Sequence, residues 1–225
     1  MSNRNDDDGA WPGRSVRLHG PPPAARGSGN RAVDVDVSWL VPADLDAVDA
    51  LARLGAEIVT VALPRRMSDF TDLTGRIIGA EGYFLVGHLV DDMSLPIDDA
   101  VRPRIGSGRN IPARDYLQAL SEREQVKREF VAVLDGIDAL LTPTTLTAAI
   151  PLGEVDQSST PAHFTRFVNA LDLCALALPN GFTANGLPLS LQIVCRGYDE
   201  ATALRIGWAY QRATDWHERR PPDMG

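Results

Sequence analysis

Three short apolar runs in the second half of the chain predict the core of a β-sheet. They cover residues 138–142, 173–179 and 187–195, and each is bounded by a proline or by a glycine-containing turn. Runs of this length between turn residues are typical of strands. Asn180-Gly181 and Asn185-Gly186 lie between the second and third runs, and both dipeptides tolerate positive φ. We therefore expect these two strands to form an antiparallel hairpin.

The third run differs from the other two because apolar and polar residues alternate along it. Ser190 and Gln192 face one way. The apolar residues that face the other way are Leu189, Leu191, Ile193 and Cys195. This alternation predicts a strand that is buried on one face. Residues 162–172 separate the first run from the second by about the length of one helix, which is the usual layout of a crossover connection.

Apolar residues at helical spacing predict four longer helices around this sheet. The predicted helices cover residues 42–55, 69–90, 113–134 and 199–214. A strand at 57–63 follows the first helix, and residues 91–110, broken by proline and glycine, predict a loop with one short helix. The order of elements predicts an α/β fold, with a mixed sheet flanked by helices.

The third and the last of these helices each have an identifiable apolar face. The third helix places on one face Leu117, Leu120, Val131 and Leu134. The last helix places on one side Leu204, Trp208 and Gln211. Helical periodicity of this kind is the main evidence for both elements.

The first 32 residues have a different composition from the rest. They contain Asp6-Asp7-Asp8 and Pro21-Pro22-Pro23 but almost no periodic apolar residues. Such a segment cannot offset the entropy of ordering by burial, so we expect residues 1–32 to be a disordered lead. Residues 33–221 are then one domain, and residues 222–225 are a tail that frays.

Charge and cysteine content narrow the classes of function. The net charge of -8 argues against nucleic acid or an anionic membrane as the main partner. No apolar run approaches the ~20 residues of a membrane span, and no secretory signal precedes the domain. Cys174 and Cys195 lie in predicted strands, which favours free, packed thiols in a reducing compartment. We expect a cytoplasmic protein.

The residues most often used in hydrolysis form no recognisable constellation in this sequence. None of the four histidines has metal-ligand spacing, and no Gly-x-Ser-x-Gly pattern occurs. The single lysine, Lys127, lies in a charged helix face, and Ser158-Ser159 precedes a predicted helix start. The acid pairs Asp91-Asp92 and Asp98-Asp99 lack the spacing of a calcium loop. From the residues alone we expect neither a metal nor a cofactor.

Four short motifs follow one another between residues 138 and 194. They are Asp138-Ala-Leu-Leu-Thr-Pro-Thr144, Thr165-Arg-Phe-Val-Asn169, Leu178-Pro-Asn-Gly181 and Gly186-Leu-Pro-Leu-Ser-Leu-Gln-Ile-Val194. In order and spacing they resemble the C-terminal part of the amidase signature family, which also includes amidotransferase A subunits. Residues 43–64 and 111–117 fit the same pattern. The resemblance covers about residues 33–221 and implies the C-terminal portion of an amidase-signature fold.

The resemblance implies hydrolysis of carbon–nitrogen amide bonds, with a small amide as the substrate. Members of the family use a serine, a second serine with a cis peptide bond and a lysine, all carried by the N-terminal half. Nothing here matches that half, and Lys127 stands in a different context. We therefore carry over no catalytic residue, and we expect a truncated chain that is inactive alone. The alternatives are a non-catalytic assembly module that pairs with a separate catalytic half, a homo-oligomer, or a degraded gene product.

The resemblance also implies a neighbourhood for the substrate. It places Thr144, Phe164 and Thr165 near the substrate side of a pocket. Packing roles at a turn and at a helix start are an equally favoured explanation of these three residues. In the glutamine-using tRNA amidotransferase branch an aspartate is expected one turn before the threonine at Thr165, and Ala162 stands there instead. That substitution puts membership of this branch in doubt.

Overall fold

The computed structural model of the protein describes residues 12–18, for the backbone alone, together with residues 42–157 and 160–220. The strands are β1 Pro12–Leu18, β2 Ala56–Ala62, β3 Ala139–Pro143, β4 Cys174–Phe182 and β5 Pro188–Cys195. The α-helices are α1 Pro42–Arg53, α2 Asp69–Asp91, α3 Val101–Gly106, α4 Ala113–Val133, α5 Arg166–Ala170 and α6 Glu200–Ala213. The four longer helices and the strands within the domain agree with the sequence prediction to within a few residues.

The strands form one sheet in the order β2-β1-β3-β5-β4. The predicted hairpin is confirmed, since β4 and β5 pair antiparallel. Strands β3 and β4 run in the same direction on either side of β5, so the chain between them is a crossover that includes α5. The α/β class with a helix-flanked sheet is confirmed. All four ladders between the described strands are antiparallel, so none of them supplies the parallel part of a mixed sheet.

Strand β1 corrects part of the prediction for the lead. Residues Pro12–Leu18 pair with β2 along seven positions and with β3 along three, instead of being disordered. The sequence pattern missed this strand because its pairing uses main-chain hydrogen bonds to two neighbours, which do not require an apolar side-chain pattern. The rest of the lead and residues 221–225 lie outside the described residues, and the domain boundaries stay predictions.

Strand β5 is buried on both faces along its second half, which corrects the expectation of a half-buried strand. Residues 191–195 of this strand are all buried. One face packs against α1 and α6, and its core includes Leu51, Leu191, Ile193, Ile206 and Tyr210. The other face packs against α2, α4 and α5, and its core includes Phe70, Phe130, Leu140, Phe167 and Val194. Helices on both sides leave no solvent face for Gln192 of β5.

The apolar faces proposed for α4 and α6 are only partly the buried ones. In α4, Leu117 is 63% exposed and Val131 is 67% exposed, whereas the helix buries Ala119, Val126 and Phe130. Periodicity alone places apolar residues on a face, but it does not say which of several apolar residues the neighbouring element covers. Long-range packing decides this in α4.

Helix α6 shows the reason more directly. Leu204 and Trp208 are 59% and 62% exposed, and the helix buries Ala203, Ile206, Gly207 and Tyr210 instead. A Cβ at Gly207 would lie 2.6 Å from Cδ2 of Leu176 in β4. The helix therefore approaches the sheet through its small residues, which forces its larger apolar side chains outward.

Candidate functional site

A cavity of about 450 Å3 lies where β3 ends and β5 begins, beside the N-terminus of α1. Its wall also includes Phe182, the last residue of β4, and the two residues that follow it. The polar residues in the wall are Asp44, Thr144, Thr145, Thr147, Thr183 and Ser190. The other lining residues are alanines, prolines, leucines and Phe182. The cavity therefore combines an apolar wall with several hydroxyl groups, as many small-molecule sites do.

Thr144 lies in the wall of this cavity, directly after β3. Its main-chain N–H donates a hydrogen bond to the carbonyl of Ser190 at 3.0 Å. The two side-chain hydroxyls are 2.8 Å apart and share a second hydrogen bond. This pairing extends the β3–β5 ladder by one step and fixes the position of the Thr144 hydroxyl at the cavity.

Phe164 and Thr165 lie elsewhere, because neither residue lines this cavity. The Phe164 side chain is 1% exposed and makes an edge-on contact with His163, with 4.7 Å between the ring centroids. The Thr165 hydroxyl donates to the carbonyl of Ala162 at 3.3 Å, just before α5 begins. The structure thus brings Phe164 and Thr165 together at the entry of α5 but separates them from Thr144.

Gln192 connects the entry of α5 to the sheet, and sequence reasoning missed this role. Its Nε2 atom donates to the Phe164 carbonyl at 2.8 Å and to the Thr142 hydroxyl at 2.9 Å. Both Gln192 and Thr142 are buried. The available signal was a glutamine within an otherwise buried strand, because a buried amide requires hydrogen-bond partners.

Asp44 and Asn180 form a second buried polar pair next to the cavity. Nδ2 of Asn180 donates to Oδ1 of Asp44 at 2.8 Å, and the two residues are 1% and 2% exposed. Asp44 lies in the first turn of α1, where a carboxylate is favoured by the helix dipole. The sequence assigned Asn180 to a turn, but β4 continues through it to Phe182 with an irregularity between Pro179 and Gly181.

Lys127 is held in an ion-pair cluster on the outer side of α4. Its Nζ atom lies 2.8 Å from a carboxylate oxygen of Asp172 and 3.2 Å from one of Glu124. Arg123 also forms an ion pair with Asp172. The hydrogen bond to Asp172 raises the pKa of Lys127, so the amine keeps its proton at neutral pH. The geometry supports the prediction of a charged helix face rather than of a catalytic base.

Metal binding and membrane insertion find no support in the described part of the chain. Within it, no group of three or more histidine, cysteine, aspartate or glutamate side chains is placed to hold a metal ion. None of its helices is both long enough and apolar enough to cross a bilayer.

Comparison with known proteins supplies the family. The model of the family named Amidase matches residues 33–204. The chain belongs to the amidase family. This result confirms the resemblance that the four motifs carry, and with it the relationship to amide carbon–nitrogen hydrolases.

Curated relatives of this amidase-family chain are named as amidotransferase subunits. The A subunit of glutamyl-tRNA(Gln) amidotransferase from Chloroflexus aggregans is 33% identical over 201 residues, and the match covers 78% of this chain and 41% of the relative. The protein of the same name from a Synechococcus strain is 42% identical over 110 residues, which are 48% of this chain and 21% of the relative. The chain therefore spans about two fifths of the C. aggregans relative. Both relatives carry the name of the tRNA amidotransferase branch, in which an aspartate is expected at the position of Ala162.

Solved structures agree on the fold. A crystal structure of an amidase superposes with a TM-score of 0.67 at 27% identity, covering 76% of this chain and 41% of the amidase. A bacterial aryl acylamidase superposes with a TM-score of 0.64 at 20% identity, covering 80% of this chain and 42% of that enzyme. The second likeness shows the fold alone.

Proposed function

We propose that this chain is the C-terminal part of an amide carbon–nitrogen hydrolase, and that the cavity at Thr144 borders its substrate. The observation that carries the proposal is the position of Thr144, which ends the family motif of residues 138–144 and lies in the cavity wall. A volume of about 450 Å3 falls within the range of roughly 300–1,000 Å3 that small-molecule sites occupy. The mixed wall of hydroxyl and apolar groups suits a small amide.

Phe164 and Thr165 have an indirect role in this proposal. The hydrogen bonds of Gln192 hold the Phe164 carbonyl against β5, and β5 also carries Ser190, the partner of Thr144. Residues at the entry of α5 therefore support the substrate side of the site indirectly, because they and Thr144 are hydrogen-bonded to the same strand, β5.

We further propose that the chain does not hydrolyse amides by itself. Acyl transfer needs an activated nucleophile, a base and oxyanion donors. Two residues of the right types are already engaged, because Lys127 is ion-paired as an ammonium group and the Ser190 hydroxyl is bonded to Thr144. A protonated ammonium group cannot accept a proton, so Ser190 and Lys127 do not form a serine–base pair in this geometry.

Ammonia release from simple amides tests this proposal. Purified chain is incubated with benzamide, acetamide and glutamine, and we expect no release above a protein-free blank. The Lys127→Ala variant serves as a matched control and should behave in the same way. Amide hydrolysis by the wild-type chain that a serine-directed inhibitor abolishes would show that the inactivity is wrong.

A second candidate function is that of an assembly module that pairs with a separate catalytic half. Strand β4 lies at one edge of the described sheet, and Leu204 and Trp208 are exposed on the helix that packs beside it. Unpaired strand edges and clustered apolar side chains favour association with another chain.

We place the protein in the cytoplasm under both candidate functions, because Cys174 and Cys195 are free thiols.

A further inference from the structure

One face of α2 carries an exposed apolar stripe with a coiled-coil repeat. It consists of Gly75, Ile78, Gly82, Leu85 and Leu89, which we call the α2 seam. The spacing is three, four, three and four residues, which places all five on one side of a helix. Ile78 is 60% exposed, Leu85 is 66% exposed and Leu89 is 41% exposed in the structure. Packing of a second helix is the usual use of such a stripe.

Contacts among the described residues do not require the two glycines of the seam. A Cβ at Gly79, outside the seam, would lie 2.9 Å from Cδ1 of Ile111, so the fold itself explains that glycine. A Cβ at Gly75 or at Gly82 would meet no described atom within 4 Å. Glycine destabilises a helix interior relative to alanine, so its presence at open positions indicates a neighbour that approaches closely.

Several polar groups that flank the seam are paired within the chain. On one flank the Tyr116 hydroxyl donates to Glu81 at 3.0 Å. On the other flank the Tyr83 hydroxyl donates to Asp91 at 2.6 Å and accepts from Nε of Arg109 at 2.9 Å. The seam itself offers an approaching surface only apolar side chains and glycines, so we expect the occupant to present apolar or small side chains along it.

The length of the related proteins indicates what this occupant is. The match covers 41% of the solved amidase and 41% of the C. aggregans relative, so more than half of each protein lies outside it. We propose that the α2 seam is the docking surface for this remaining part of the amidase fold, and that the element bound there is a closely packed helix. The inference rests on the proposed assembly with a catalytic half.

Co-expression with the complementary part of a relative tests the proposal. The probe is a tagged fragment of the C. aggregans relative, taken from the region that precedes its match to this chain, and capture of the untagged full chain is measured. We expect one-to-one capture of the wild-type chain and at least a tenfold loss for Leu85→Glu. Val131→Glu is the matched control, because Val131 is similarly exposed but lies on α4. Its capture should stay within twofold of wild type.

The Gly82→Leu variant distinguishes close helix packing from non-specific hydrophobic association. The substitution adds apolar area and improves helix propensity, so a surface that binds by non-specific apolar contact would bind the fragment more strongly. A closely packed helix would be displaced, and we expect at least a tenfold loss of capture. Circular dichroism should show that Leu85→Glu and Gly82→Leu keep the wild-type thermal midpoint or exceed it. Leu85 is exposed in this chain, and the space around Gly82 is open among the described residues.

Three results would overturn the proposal. They are failure to capture the wild-type chain, equal capture of the seam variants, and a wild-type dimer that Leu85→Glu dissolves, which would make a second copy the occupant. Hydrolysis is assayed separately on the captured complex. Capture without amide hydrolysis would count against the proposed enzymatic function and leave the docking surface intact.

Discussion

The side-chain amide of Gln192 donates a hydrogen bond to the main-chain carbonyl of Phe164 at 2.8 Å, and both residues are buried. The same nitrogen also donates to the Thr142 hydroxyl at 2.9 Å. One amide group therefore joins strand β3, strand β5 and the entry of helix α5. These are elements that the sequence could place individually but could not connect.

Replacing Gln192 with leucine should destabilise the fold. The substitution leaves the Phe164 carbonyl and the Thr142 hydroxyl buried without this donor, which costs about 1–3 kcal/mol of unfolding free energy. Urea denaturation measures the loss. Gln118→Leu is the control, because Gln118 is exposed on α4 and should change stability by no more than ~0.5 kcal/mol. Equal effects of the two variants would contradict the role of Gln192.

Removing a ring from the aromatic cluster should have a larger effect. Phe70, Phe130 and Phe167 contact one another with ring centroids 5.8 to 6.1 Å apart. Phe130→Ala opens a cavity in this cluster, and we expect a loss of about 3–5 kcal/mol in unfolding free energy. Phe84→Ala is the matched control, since Phe84 is 86% exposed. A comparable loss of unfolding free energy in the control would contradict the assignment of the effect to packing within the cluster.

The Asp172 ion pairs should make stability depend on pH in a defined direction. A hydrogen bond from Lys127 lowers the pKa of Asp172 in the folded state. Its stabilisation is therefore fully present above the unfolded aspartate pKa of about 3.9, and it is lost as pH falls through the lower folded pKa. The side chain is 53% exposed, so the contribution should stay below about 1 kcal/mol. Asparagine is a suitable replacement for Asp172, because it tolerates the left-handed backbone at this position, where φ is 54°.

The comparison of wild type with Asp172→Asn tests this dependence. Wild type should be more stable between pH 5 and 7 (about one to three units above the unfolded pKa), and the difference should vanish in strong acid. At the alkaline end, the raised pKa of Lys127 means that its share is present below the unfolded lysine pKa and lost as pH rises through the folded value. Urea titrations across the pH series provide the measurement. A difference that persists unchanged in strong acid would rule out Asp172 ionisation as its source.

The two cysteines should differ in reactivity. Burial raises the pKa of Cys195 to about 12, and the residue has no exposed surface. Burial also raises the pKa of Cys174, which is only partly covered. Iodoacetamide at mildly alkaline pH should modify Cys174 slowly in the native chain and Cys195 only after unfolding, because the thiolate is the reactive form. Mass spectrometry at successive times detects each adduct, and equal native rates would contradict the packing of β5.

Much of the fold could be predicted from local pattern. The four long helices, the strand after α1 and the β4–β5 hairpin follow from periodicity and turn residues, which act between neighbours in the chain. The family followed from four ordered motifs. In contrast, the faces that α4 and α6 bury could not be predicted, because the close approach of Gly207 to Leu176 involves residues far apart in sequence.

For the candidate site, the sequence by itself determined that Thr144 and Thr165 belong to family motifs at a strand end and a helix start, and that Phe164 directly precedes the second of these motifs. Only the tertiary structure decided that Thr144 lines a cavity with Ser190, while Phe164 and Thr165 lie apart at the entry of α5. It also decided that β5 is covered on both faces and that α2 leaves an apolar seam exposed. The physical reason is that periodicity states which residues share a face, whereas burial depends on which distant element packs against that face.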